Sequence, residues 1–440
     1  MRILLAVHHF PPRFTGGAEW QALRTARTLA RRGHDVRVIC VESITDPSGG
    51  GLKAELDEYQ GVIVERLSFD LSATPDPFVW GYDNSLVGEY IESRMIEFRP
   101  EVFNLIGGYL ISGRPLLTAR ERNIPSVVTL TDFWFLCPRI NMMRSDGKLS
   151  NAPADADVCR RCLAEESRRY RLPAAVAPKL MDKYWETRKS QAENVRQRQE
   201  FLISAISEAN AIISPSHFLG SMYVKSGVPE DKIFYCRQGL PPEYFAPTTT
   251  QRKSPRQEVH VGYVGQIAEL KGVHILVRAA HMVADERLRV HIYGNTKSFP
   301  DYVKRLKSMV SADPRIVLAG LVLPDELSRV YADLDALVVP SLWYENSPNV
   351  ILEAQCNRLP VIASDLGGMA EMVRSEVDGL LFPAGDVVGL ARQIERVLDE
   401  PRLLESLSQG APRVKTLDQE IDELLELYGS IMSQKVPTLS

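Results

Sequence analysis

Apolar and polar residues alternate between two rhythms along this chain. Short runs such as Arg2-Ile3-Leu4-Leu5-Ala6-Val7 and Val36-Arg37-Val38-Ile39-Cys40-Val41 are almost wholly apolar, as in strands buried on both faces. Between them, residues 18–31 carry apolar positions at helical spacing, and Gly33-His34-Asp35 stops that helix. Further strands are predicted at 61–67, 102–107, 125–130, 211–214 and 233–240, with a helix at about 86–97. Residues 163–205 are rich in Arg, Lys and Glu, with Leu180, Tyr184 and Val195 at helical spacing; they predict helices inserted in the first half. The β-α-β alternation restarts at Val259-His260-Val261-Gly262-Tyr263-Val264 and continues through strands at 290–295 and 316–321, one ending at Val338-Val339 and one at Pro360-Val361-Ile362. Helices are predicted at 386–399 and 401–409. Leu417 to Ile431, with Ile421, Leu424, Leu425 and Tyr428 on one face, predicts an amphipathic last helix. The pattern is that of an α/β protein with two doubly wound parallel sheets.

The stretch with the most chemistry runs from Val338 to Ala354. A buried strand ends at Val339, a polar loop follows, and Ser347-Pro348 predicts a helix start with Ser347 as N-cap. The free N–H groups of Asn349 and Val350 and the helix dipole suit a phosphate. Glu345 and Glu353 flank that point. Carboxylates repel a bare phosphate but accept hydrogen bonds from sugar hydroxyls, so a sugar joined to a diphosphate fits best. Lys271, between Gly265-Gln266 and Gly272, is a second phosphate ligand in prospect, and Gln266 can donate a hydrogen bond without charge. Gly16-Gly17, after His8-His9-Phe10-Pro11-Pro12, lets backbone approach an anion.

The spacing Glu345-x7-Glu353, followed by Leu359-Pro360-Val361-Ile362 and Gly379-Leu380-Leu381-Phe382-Pro383, resembles the donor half of glycosyltransferase family 4. The resemblance implies a GT-B fold: two Rossmann-like doubly wound parallel-sheet domains facing a central cleft. It implies a retaining, nucleotide-sugar-dependent transferase of hexosyltransferase type, with no required cofactor and no required metal. Glu345 would meet the donor sugar and Glu353 the ribose. Gly16, Gly17, Gln266, Lys271, Ser347, Asn349 and Val350 would complete the donor site, with UDP expected ahead of GDP. Backbone at the ends of strands 290–295 and 316–321 would meet the base. The acceptor would be a glycan or a lipid-linked saccharide in polysaccharide or glycolipid synthesis. Asp132 stands in the family's acceptor-side motif as a catalytic candidate, or as a simple loop cap; Thr131 replaces the preceding His. Family members carry Arg where Gln266 stands. The alternatives are a sugar-nucleotide epimerase of the same fold, or a non-catalytic nucleotide-sugar-binding module.

The expected boundaries are 1–245 for an acceptor-side domain with an insertion at about 138–205, 246–257 for a polar, proline-bounded linker, and 258–415 for a donor domain. A last helix at about 416–433 is expected to return to the first domain. Composition adds constraints. The 440 residues are 45% hydrophobic and 25% charged, as in a globular protein. The net charge of −4 argues against a nucleic-acid partner. Six Cys residues suit a reducing cytoplasm, and the first apolar run is too short for a signal sequence. Cys137, Cys159 and Cys162 are three clustered thiols where a structural zinc needs four ligands, so metal binding is the weaker reading. The charged segment 163–205 is either a solvated face or a basic surface meeting an anionic membrane, peripheral to its inner face.

Overall fold

The computed structural model describes residues 1–45, 51–187, 192–245, 258–323 and 326–433. The expected linker at 246–257 lies outside them. The chain divides into two compact units, Met1–Cys236 with Glu420–Ser440, and Arg237–Gln419.

The first unit is built on an eight-stranded sheet. Its strands are β1 (Arg2–Val7), β2 (Asp35–Ser43), β3 (Lys53–Tyr59), β4 (Val62–Ser68), β5 (Val102–Ile106), β6 (Ser126–Thr129), β7 (Ala211–Ser214) and β8 (Ile233–Tyr235), in the order β3-β4-β2-β1-β5-β6-β7-β8. All neighbours are parallel except β3, which runs antiparallel to β4. Strand β3 was not expected: Lys-Ala-Glu-Leu-Asp-Glu-Tyr is mostly exposed and charged, as edge strands are. The central strands are buried almost throughout and mainly apolar, with Asn104, Ser126 and Thr129 as polar exceptions. Arg66, fully buried on β4, donates to the carbonyls of Phe10 (3.2 Å) and Pro11 (2.7 Å) and to Asp57 (2.7 Å), fixing the loop after β1. The final helix, Leu417–Ser433, buries Ile421, Leu424 and Tyr428, and Asn104 Nδ2 donates to the Tyr428 hydroxyl at 2.8 Å.

The second unit carries a six-stranded, all-parallel sheet of β9 (Val259–Val264), β10 (Leu288–Tyr293), β11 (Ile316–Gly320), β12 (Ala336–Val339), β13 (Val361–Ser364) and β14 (Gly379–Phe382), in the order β11-β10-β9-β12-β13-β14. One apolar cluster, including Val261, Leu276, Val290 and Ile394, fills one region, and a second includes Leu337, Ile351, Leu352 and Ala363.

The division falls earlier than the expected residue 245. Leu240 N–H donates to the Lys415 carbonyl (3.0 Å), and Leu417 N–H donates to the Leu240 carbonyl (2.8 Å). Tyr244 then enters the second unit's core beside Ile351. The polar composition of 246–257 gave no sign of this pairing. Within the insertion, helices occupy Ala156–Ala164, Arg168–Val176, Pro178–Glu186 and Glu193–Ser207. Leu180 does not pack as its spacing suggested. Met181 and Trp185, one position round the helix, form the buried face, and Leu180 is 71% exposed.

Candidate active site

At the carboxyl end of β12 the chain passes from buried strand to a tightly held loop. Three loops following β9, β12 and β13 clasp one another there. Leu342 N–H donates to the Leu270 carbonyl at 2.8 Å, and Gly368 N–H to the Glu345 carbonyl at 2.8 Å. A Cβ on Gly272, which has φ +68°, would fall 1.9 Å from the Pro340 oxygen; one on Gly368 would fall 1.9 Å from the Asn346 oxygen. Only glycine allows backbones this close. The carboxyl ends of parallel strands are where α/β sheets bind ligands.

This clasp fixes Glu345. Its Oε1 accepts from Lys271 Nζ (2.6 Å), Ser341 Oγ (2.9 Å) and Trp343 Nε1 (2.9 Å), and none of the three reaches Oε2. The Lys271 ammonium also lies 5.1 Å from the Trp343 ring centroid, a cation–π contact. Two of the expected residues, Lys271 and Glu345, are therefore in direct contact. Glu353 is buried inside the helix Asn349–Cys356 and accepts from the Tyr331 hydroxyl at 2.6 Å. Burial and then the Glu353 carboxylate hold the Tyr331 hydroxyl well above its ordinary pKa, so it remains a donor.

The helix start differs from expectation. Ser347 is not the N-cap: the chain stays extended through Pro348 (φ −66°, ψ 117°), which holds that position without a side-chain hydrogen bond. Ile351 N–H turns back to the Pro348 carbonyl at 3.0 Å, while Asn349 and Val350 head the helix. Ser347 Oγ is buried with no hydrogen-bond partner. Gln266 is exposed at its side chain; its carbonyl accepts the Tyr263 hydroxyl at 2.7 Å, tying the β9 loop to its own strand.

The expected residues of the first unit lie in the loops that follow β1 and β6. Gly16 caps the helix Gly17–Arg31 in extended backbone (φ −81°). A Cβ on Gly16 would meet Glu19 Oε2 at 2.4 Å, whereas one on Gly17 would meet nothing within 4 Å. Gly16 is thus small to admit Glu19, and Gly17 leaves its backbone open. Glu19 Oε1 lies 3.4 Å from His8 Nε2. Burial opposes ionisation of Glu19, but the His8 hydrogen bond and charge outweigh it and keep the carboxyl below its ordinary range. Asp132 accepts from Trp134 N–H (2.7 Å) and from Thr131 Oγ1 (3.1 Å), the geometry of a loop cap. Burial pushes its carboxyl up, against the Trp134 hydrogen bond.

Sequence distance hid one neighbour of Thr131. A Cβ on Gly107 would lie 2.7 Å from Thr131 Oγ1 and 3.9 Å from His8 Nδ1, so an imidazole from the end of β1 stands close to the end of β6. Both follow the last residues of strands joined through β5, which was the available signal. Ser341, Trp343 and Tyr331 were also missed. Ser341 and Trp343 lie within the stretch that was read, but only the fold turns them onto Glu345. Tyr331 carries no spacing signal at all.

Cys137, Cys159 and Cys162 line one small pocket together with Ser150. Cys162 Sγ accepts from Ser145 N–H at 3.1 Å and lies 3.5 Å from Arg139 Nη1. Burial pushes the Cys159 thiol up to about 12. Among the described residues, no group of three His, Cys, Asp or Glu side chains is arranged to hold a metal ion.

Comparison with known proteins decides the family. A family model described as Glycosyltransferase Family 4 matches residues 15–244, and one described as Glycosyl transferases group 1 matches residues 258–400. The chain belongs to glycosyltransferase family 4. Among family relatives, a D-inositol 3-phosphate glycosyltransferase of Salinispora arenicola (strain CNS-205) is 29% identical over 199 residues, 42% of this chain and 44% of that protein. The chain spans half or less of the length of the first curated relatives it matches. In fold, this glycosyltransferase family 4 chain is similar to sucrose-phosphate synthase from Thermosynechococcus elongatus, with TM-score 0.69, 20% identity and coverage of 98% and 99% of the two chains. It is likewise similar to Anabaena Alr3699/HepE, solved in complex with UDP, with TM-score 0.65, 16% identity and coverage of 98% and 100%. Two parallel-sheet α/β units with these neighbours make the fold GT-B.

Proposed function

We propose that this chain is a retaining glycosyltransferase that moves a sugar from a nucleoside diphosphate to a glycan or lipid-linked saccharide acceptor. The observation that carries this reading is Glu345, held by Lys271, Ser341 and Trp343 beside the amide-rich start of the helix Asn349–Cys356. The Asn349 and Val350 amides, the unpaired Ser347 hydroxyl and Lys271 form a donor set for a diphosphate. Glu345 Oε2, untouched by those three donors, accepts from sugar hydroxyls. Glu353 with Tyr331 accepts from the ribose. UDP is favoured as the nucleotide, because the Anabaena neighbour was solved in complex with UDP and, separately, with UDP-glucose.

In the proposed step the bond between the sugar anomeric carbon and the diphosphate oxygen breaks, and its electron pair stays with the phosphate. The acceptor hydroxyl oxygen bonds to that carbon from the same face and gives its proton to the departing phosphate. The fixed amides and Lys271 stabilise the negative charge that grows on the leaving group. Glu345 orients the sugar and forms no covalent adduct. Asp132 caps the loop after β6 and sets its shape for an acceptor.

A thermal-shift panel over UDP- and GDP-sugars tests the binding step. The preferred donor at a hundredfold excess over its dissociation constant should add about 2.7 kcal/mol of stability. Transfer of labelled sugar with retained configuration, undiminished by a chelator, is the expected outcome. An inverted product or a trapped glycosyl-Glu345 would overturn the mechanism, and formation of a 2-epimer would favour the epimerase instead.

A further inference from the structure

The helix Arg168–Val176 and the helix Pro178–Glu186 form a hairpin whose two faces differ sharply. Its inner face is anchored. Met181 and Trp185 are buried, Arg160 stacks on Trp185 with its guanidinium carbon 4.4 Å from the ring centroid, and Arg161 pairs with Asp182. Tyr170 packs 5.3 Å from Trp185, centroid to centroid, and joins the two helices.

Its turn has no such cover. From within the first helix to the start of the second, Leu172-Pro173-Ala174-Ala175-Val176-Ala177-Pro178 is seven apolar residues in succession, and Leu180 follows two positions later. Leu172 is 50% exposed, Val176 83% and Leu180 71%. Such clustered exposure marks an interaction surface. The charges around it are one-sided. Arg168, Arg169, Arg171, Lys179 and Lys183 are all exposed. Of the two acidic residues between Arg168 and Glu186, Asp182 is already paired with Arg161. This basic collar sits on a chain whose net charge is −4.

We propose that this turn docks on an anionic lipid bilayer. Leu172, Val176 and Leu180 enter the interface between headgroups and acyl chains, and the collar meets the lipid phosphates. A second copy of the chain is a poorer occupant, because self-association would press two basic collars together. No helix among the described residues is long and apolar enough to span a membrane, so the attachment is peripheral. Membrane docking at this turn is separate from sugar transfer.

The test is sedimentation of the full chain with phosphatidylcholine vesicles, with and without phosphatidylglycerol, in the absence of sugar nucleotide. Binding to the anionic vesicles is expected, weakening as salt rises. The triple variant Leu172→Ser, Val176→Ser, Leu180→Ser should cut partitioning at least tenfold with an unchanged melting temperature. Leu56→Ser removes a leucine equally exposed on the β3 edge and should leave partitioning unchanged. Equal binding by the triple variant and the unaltered chain would overturn the proposal. So would no binding to anionic vesicles, or a dimer that the triple variant abolishes. Because no donor is present, failure here leaves the glycosyltransferase reading intact, and loss of transfer activity leaves this one intact.

Discussion

Lys271 Nζ stands 2.6 Å from Glu345 Oε1, joining the loop after β9 to the loop after β12. The two side chains lie 74 residues apart in the sequence, yet each satisfies the other, with Trp343 as a shared neighbour of both. Under the proposed function, Lys271 reaches the diphosphate while Glu345 faces the sugar. Lys271→Met should therefore weaken sugar-nucleotide binding about tenfold, or about 1.4 kcal/mol. Glu345→Gln should leave nucleotide affinity nearly unchanged and slow transfer about a hundredfold, because the sugar loses its orientation. Calorimetry and turnover measured on both variants separate the two roles.

Glu353 and Tyr331 form a buried pair, and removing one partner strands the other. Glu353→Ala should cost about 1–3 kcal/mol of stability through the unpaired Tyr331 hydroxyl. It should weaken UDP binding as well. Tyr331→Phe should weaken UDP binding less, since the carboxylate stays. Chemical denaturation and calorimetry on the same samples check the pairing.

Asp132 gives a pH dependence with a definite sign. Burial raises its carboxyl above the ordinary 3.8, so the folded chain binds this proton more tightly than the unfolded chain. Its contribution is fully present below 3.8 and is lost as pH rises through the folded value. Asp132→Asn keeps an acceptor for Trp134 N–H and removes the half-buried charge. The variant should melt higher than the unaltered chain at pH 7, and the difference should shrink as pH falls toward 4. Melting curves across that range decide it.

Glycine substitutions distinguish a packing role from an access role. Gly368→Ala places a Cβ against the Asn346 carbonyl and should destabilise by about 1–3 kcal/mol while disordering the Glu345 loop. Gly17→Ala finds open space and should leave the melting temperature unchanged. If the Gly17 backbone meets the diphosphate, the same change weakens donor binding. Thermal melts paired with donor titrations read both.

Much of this was legible in the residue pattern because parallel strands covered on both faces must be apolar, and helices between them must keep one apolar stripe. The central strands and most helices of both units follow that rule. Strand β3 escaped because an edge strand needs no such pattern. At the candidate site, Glu345, Glu353 and Lys271 stood out by spacing and by neighbouring glycines. Tyr331 and the His8–Glu19 contact did not: Tyr331 lies in the helix before β12 and Glu353 in the helix after it, and His8 meets Glu19 only once the loop after β1 folds back on itself. Ser347 was misread by one position: proline fixes its own φ but not ψ, and here the extended ψ at Pro348 delays the helix. The boundary at Cys236 was hidden because long-range contacts, not composition, commit 237–245 to the second unit: Leu240 pairs with residues near 416, Arg237 with Glu371, and Tyr244 enters the apolar core.

The return of the last helix to Asn104 also decides how the protein can be taken apart. A gene stopped after Cys236 would encode the N-terminal sheet without the segment that shields Asn104, leaving a greasy stripe bare to solvent. Producing that half alone calls for grafting residues 420–433 onto it, whereas 237–419 can be expressed as one uninterrupted piece.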